Sequence, residues 1–269
     1  MKVPVLGLDG DASGKIELPP VFLTPFRKDL IHKAFTNLNS HGFQPQGRHP
    51  TAGMDVVARS NDPPTGRAQS RIAKMRGGGG GRQGQAGGVA SVRGGRQAHP
   101  PNVYKTIYKK LNKKENKLAL CSAIAATANK ELVESRGHKT GKLTLPLIVS
   151  NDIESISNAA ELKETLESLD LMNDIKRLEA RKPRTGKSAL RGRSKKVGKS
   201  VLFVAKNPEN LKKACGAFLG VEAKSARELS VLDLAPGSVP IRLVVYSKTA
   251  IGEIANIQST HLEIMVKIN

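Results

Sequence analysis

The stretch from residue 44 to residue 105 limits what this chain can fold into more than any other. It holds ten basic residues against two acidic ones, Asp55 and Asp62, and 13 of the chain's 26 glycines, including the unbroken run Gly77–Gly81. Its large apolar residues (Met54, Val56, Val57, Ile72, Met75, Val89, Val92) are scattered without helical or strand periodicity. Such a stretch cannot bury enough apolar surface to offset the entropy of ordering it. A structureless loop of this length in a compact domain is either functional or disordered. A plain linker has no use for an arginine every few residues. The expectation is an extended, basic, Gly/Arg-rich internal loop over 44–103, disordered alone and ordered on binding.

The 269 residues carry 44 Lys plus Arg and 23 Asp plus Glu, a net charge of +21. Residues 44–105 supply +8 of it. Residues 176–199 supply another +10, with eleven basic residues against Glu179. An unneutralised cluster repels itself, so both segments call for a polyanion, and 181–199 reads as a second basic loop. Two cysteines, Cys121 and Cys215, cannot staple a secreted scaffold and suit a reducing compartment. No apolar run approaches the ~18 residues of a membrane-spanning helix. The start lacks a signal peptide's apolar core, being broken at Asp9-Gly10-Asp11.

The rest reads as an α/β body over 1–43 and 104–269. Leu30, Ile31, Ala34, Phe35 and Leu38 have helical spacing, with Gly42 as a stop. Residues 104–136 give one or two helices ending at Gly137, with Cys121 in their apolar stripe. Beyond them strands are expected at 143–150, 199–206, 229–234 and 241–247. Helices are expected at 158–171, after Pro208 with Asn207 as cap, and at 249–257. Alternation of apolar strands with helices implies a mostly parallel sheet covered on both faces. The terminal alternation HLEIMVKIN predicts an edge strand.

Signatures of catalysis are missing. Gly79-x-Gly81-x-x-Gly84 has dinucleotide-binding spacing, but a run of glycines forces the match and its strand–helix context fails. Gly186-Lys187-Ser188 and Gly198-Lys199-Ser200 lack the earlier glycine of a phosphate loop, Arg181 and Arg193 standing there. The six histidines and two cysteines show no zinc-ligand spacing, so neither metal nor cofactor is expected. Glu161, Glu164 and Glu167 read as a solvated helix face. An enzyme is therefore not expected, although the α/β body makes a nucleotide-dependent enzyme one rival reading.

Lys and Arg neutralise phosphates, and glycine lets backbone approach them. Residues 44–103 contain no Phe, Tyr or Trp, so stacking on side-chain rings is not their main mode; recognition of folded RNA by backbone and shape is. The candidate RNA-binding residues are Arg48, Arg59, Arg67, Arg71, Lys74, Arg76, Arg82, Arg93, Arg96 and His99 in the first loop. In the second they are Arg184, Lys187, Arg191, Arg193, Lys195, Lys196 and Lys199.

Several stretches carry a family resemblance: PPVFLTPFRKDLI (19–31), TGRAQSRIAKMRGGG (65–79), RGGRQAHPP (93–101), LALCSAIAATANKELVESRGH (118–138), RTGKSALRGRSKKVGKSVLFV (184–204) and DLAPG (233–237). In this order they resemble the universal large-subunit ribosomal protein "L-four" family, in its archaeal/eukaryotic form and at archaeal length. The resemblance implies a non-catalytic constituent of the large ribosomal subunit, cytoplasmic, with an α/β body on the subunit surface. Its long loop threads into ribosomal RNA, and the tip (Arg71, Lys74, Met75, Arg76) lines the nascent-peptide exit tunnel. Implied partners are large-subunit ribosomal RNA, neighbouring ribosomal proteins and the nascent peptide, with no membrane and no homo-oligomer. The sequence departs from relatives at Ala73, where many carry proline, and in the length of its glycine run. The rival binding reading is a general RNA- or DNA-binding protein with a disordered arginine–glycine arm.

Overall fold

A computed structural model of the chain describes residues 1–56, 58–60, 65–68, 70–76, 81–141, 143–196, 198–238, 241–257, 259 and 262. It divides into two compact units, Met1–Ser40 with Lys109–Asn269, and His41–Tyr108. The first unit is the α/β body. It opens with β1 (Lys2–Leu6), β2 (Ala12–Glu17) and α1 (Lys28–Asn39). The second unit holds two short strands, β3 (Ala58–Arg59) and β4 (Lys74–Met75). The body resumes with α2 (Lys113–Ala126), α3 (Lys130–Ser135), β5 (Leu147–Val149), α4 (Ala159–Ser168), α5 (Met172–Glu179) and α6 (Lys187–Leu190). It ends with β6 (Leu202–Ala205), α7 (Glu209–Cys215), β7 (Glu222–Ser225), α8 (Val231–Leu234), β8 (Val244–Ser247) and α9 (Lys248–Ile254).

The body's sheet runs β2-β1-β5-β8-β6-β7. All neighbours pair in parallel except the edge hairpin β1–β2. The class is therefore the mostly parallel α/β sheet that the apolar runs predict. Register explains why those runs are continuous. Ile148, Tyr246 and Val204 lie side by side across β5, β8 and β6 and face one core, with α1, α2 and α9. Leu147, Val245 and Phe203, one residue earlier, face the other core, with α4, α5 and α7. Each strand thus buries both faces, and alternation has nothing polar to alternate with. Tyr246 is fully buried; its hydroxyl meets Thr127 Oγ1 at 2.9 Å, and its ring meets Phe22 edge-on at 5.8 Å.

Ends follow local chemistry. α3 starts where Asn129 Oδ1 accepts the Glu131 and Leu132 amides at 3.0 and 3.5 Å, and it stops before Gly137, whose φ is +94°. Two expectations need correction. Within residues 229–234, Val231–Leu234 form helix α8, not a strand, because Ser230 and Asp233 close a capping box that starts a helical turn. Asn207 does not cap α7; Pro208 takes that position, and Glu154 Oε2 accepts the Asn207 amide at 3.2 Å. The structure also adds a strand at the edge next to β6, β7 (EAKS), whose half-buried polar residues carry no strand pattern. The segment HLEIMVKIN, apart from Leu262, and Gly77–Gly80 lie outside the described residues.

Candidate nucleic-acid interface

The unit His41–Tyr108 is built without a side-chain core: among its described residues no large apolar side chain is buried. Backbone packing takes that role. Gly53 has φ +82°, and a Cβ there would lie 2.4 Å from the Gly95 carbonyl; a Cβ on Gly95 would lie 1.9 Å from Val89 O. Only glycine lets these two arms meet. Arg59 pairs with Lys74 and Ala58 with Met75 across β3 and β4, and Lys74 bridges on its other side to Ala86. Met75 N–H donates to Gln85 O at 2.8 Å, and Gly84 N–H returns to Met75 O at 3.0 Å. The scattered apolar residues gave no sign of this ladder, because turns and main-chain bonds form it rather than a hydrophobic face.

On this scaffold Arg59, Arg67, Arg71, Arg76, Arg82, Arg93, Arg96 and His99 are exposed, while Arg48 and Lys74 are half-buried. Arg48 donates to Gln97 Oε1 at 2.8 Å and to the Ala52 carbonyl at 3.0 Å. Arg71 donates to Thr65 Oγ1 at 3.1 Å. Among the described residues none of these arginines, nor Lys74, pairs with a carboxylate; His49 lies 3.7 Å from Asp55. The described residues of the unit thus present a surface of cations without carboxylate partners.

The second basic segment leaves α5 and returns into β6. Arg184 N–H donates to Ser194 O at 2.8 Å and Arg193 N–H to Ser188 O at 3.0 Å, closing a compact loop around α6. Arg184, Lys187, Arg191, Arg193, Lys195 and Lys196 are exposed on it, and Leu190 is 86% exposed among them. Lys199 differs: it is half-buried and ion-paired with Glu222. Ser200 is engaged too, donating to Asp174 Oδ2 at 2.6 Å, so Gly198-Lys199-Ser200 is committed to the body.

Both ends of this loop are held by buried charge. Asp174, fully buried on α5, accepts from Ser200 Oγ, from Arg177 Nε at 2.8 Å, from the Lys139 amide at 3.1 Å and from His138 Nδ1 at 2.9 Å. Burial alone raises a carboxyl's pKa, but these donors outweigh it and hold Asp174 well below the usual carboxylate range. Burial lowers the pKa of His138 against the pull of Asp174, so the ring is neutral at pH 7 and donates from Nδ1. Arg242, fully buried, donates to Ser200 O at 2.5 Å, Val201 O at 3.1 Å, Gly220 O at 2.7 Å and Glu222 Oε2 at 2.7 Å. Burial would raise Glu222's pKa, but Lys199 and Arg242 keep it low.

The chain matches the model of the ribosomal protein L4/L1 family over residues 16–257. It is 40% identical over 256 residues to the large ribosomal subunit protein uL4 of Methanococcus aeolicus, covering 94% of this chain and 98% of that one. Its similarity to the same protein of Methanosphaera stadtmanae is 36% over 258 residues, 95% and 97% of the two chains. With that of Aeropyrum pernix it is 40% over 252 residues, 93% and 90%. The chain belongs to the ribosomal protein L4/L1 family.

The family is structural and non-enzymatic, in line with the missing catalytic motifs. Among the described residues no helix is long and apolar enough to cross a membrane. The four tip residues implied by the family resemblance fall on or beside β4. Arg71 and Arg76 are exposed, whereas Met75 lies over Gly87, where a Cβ would come within 2.7 Å of Met75 Cγ. No sequence motif marks His138, Asp174, Glu222 and Arg242, which brace the second loop. Asp174 and His138 stand 36 residues apart, and Arg242 and Glu222 20. The one local hint is Arg177, a turn after Asp174 on α5.

Proposed function

We propose that this protein is a structural constituent of the large subunit of the cytoplasmic ribosome, and that it binds large-subunit ribosomal RNA through its two cationic segments. Residues 44–103 reach between RNA helices, replace counterions and lock the RNA tertiary fold during assembly. Residues 181–199 form the second contact. The tip residues Arg71, Lys74, Met75 and Arg76 contribute to the wall of the peptide exit tunnel. The observation that carries this reading is a unit that, among its described residues, buries no large apolar side chain and holds a set of arginines without carboxylate partners. Unpaired cations held this close repel one another, and phosphates are the groups that relieve the repulsion.

Deletion of residues 66–90 tests the reading. The expected outcome is a body that folds normally but large subunits that mature poorly or pass nascent peptide abnormally. Subunits that assemble and conduct peptide as before would overturn it. Purified wild-type chain that binds any nucleic acid but holds no salt-resistant place in the subunit would favour the general RNA- or DNA-binding alternative.

A further inference from the structure

We infer that the inserted unit carries a pocket for one unpaired nucleobase, with the Tyr104 ring as its stacking platform. The inference rests on the reading that this unit binds RNA and adds a base contact to its phosphate contacts. The arms of the unit close at Gly47, where a Cβ would lie 2.5 Å from Val103 Cγ2. Beside this contact they enclose a cleft of about 650 Å³, large enough for a nucleoside.

The cleft is preformed. Pro100 and Pro101 stiffen one wall by fixing their own backbone angles. Asn102 Oδ1 accepts the Tyr104 amide at 2.9 Å, and Lys105 N–H donates to Asn102 O at 3.2 Å. This turn presents a ring that is 93% exposed. Arg48 lines the same cleft, its guanidinium already held by Gln97 and Ala52. His99 adds a second flat polar ring. Among the described residues no acidic side chain lines the cleft.

A flat apolar ring left in water beside a pre-placed guanidinium suits one occupant above others. A nucleobase covers the ring with its face and brings its own phosphate to the arginine. A neighbouring protein's apolar side chain would cover the ring but leave Arg48 without an anion.

The test uses Tyr104→Ala and Tyr104→Phe in the full chain, assembled into large subunits and probed with dimethyl sulfate and a carbodiimide. Tyr104 is exposed, so neither change removes core packing. The expected result is one ribosomal RNA base whose reactivity rises about tenfold in Y104A and stays protected in Y104F, as loss of one stacked base predicts. Assembled Y104A subunits with an unchanged RNA pattern would overturn the inference and leave RNA binding by the unit intact; a protein neighbour on Tyr104 would give that result. Equal exposure in both variants would assign the contact to the hydroxyl and also overturn stacking. Absence of the wild-type chain from the subunit would instead sink the proposed function itself.

Discussion

The α/β body and the inserted unit solve the same folding problem with opposite materials. In the body, side chains do the holding: β5, β8 and β6 each send alternate residues into two apolar cores, and carboxylates such as Asp174 and Glu222 are matched to cations. In the inserted unit the main chain does the holding, through glycines at touching positions and a two-residue ladder, while the arginines stay unmatched. A buried arginine and an exposed one therefore play different parts. Outside its second basic loop the body spends its charges on itself, whereas the inserted unit, like that loop, keeps them for a partner.

The sharpest way to break this contrast is to truncate an arginine in each region. Arg242→Met removes one donor from Glu222, which keeps Lys199, and from three carbonyls, and we expect a loss of about 2–3 kcal/mol in denaturant unfolding. Arg71→Ala should stay within about 0.5 kcal/mol of the parent. Similar losses for the two would mean that the inserted unit uses its arginines structurally after all.

Salt titration of RNA binding reverses the ranking. Replacing Arg71, Arg76, Arg82 and Arg93 together by alanine should make the slope of log affinity against log salt shallower by about 3–4, roughly one per lost phosphate contact. A slope unchanged by four losses would show that these side chains do not reach phosphate.

Acidification should act on the body through the second loop's anchor. His138 has its pKa lowered in the folded state, so the unfolded chain takes up its proton first; stability falls as pH drops below about 6.5. Asp174, also lowered, contributes stability above its unfolded value of about 3.9, and that contribution is lost as pH falls further. The two steps have the same sign and separate windows. His138→Gln should flatten the upper one, worth at most about 1.4 kcal/mol per pH unit for one proton, in melts between about pH 6.5 and 5. A parent protein with pH-independent stability there would remove His138 from the account.

Much of this contrast could be read along the chain, and the failures have one cause. Charge and glycine content are local, so both basic segments stood out. Strands such as LFVA stood out as well, because both of their faces are buried. β7 was missed because Glu222, Ala223, Lys224 and Ser225 owe their strand state to β6 rather than to any pattern of their own. LSVLDL misled for the converse reason: apolar content suggested a strand, while the Ser230–Asp233 spacing, which is local, started a helix. The Asp174 and Arg242 clusters join residues that are distant in sequence, and Tyr104 sits one residue past the end of the basic, aromatic-free stretch 44–103.

The smallest effect checks that position, not charge alone, decides what a lysine does. Lys163 on α4 lies 3.9 Å from Glu167, both more than half exposed, on a face that also carries Glu161 and Glu164. Lys163→Ala should cost about 0.3–0.5 kcal/mol or less, the size of an exposed helix pair, and leave the RNA salt slope untouched. A carboxylate beside the ammonium, and more along the same helix, leave little net field to attract phosphate. If this substitution lowered the slope as much as Arg191→Ala does, net charge alone would drive binding, and the separation between self-neutralised body and unneutralised loops would lose its meaning.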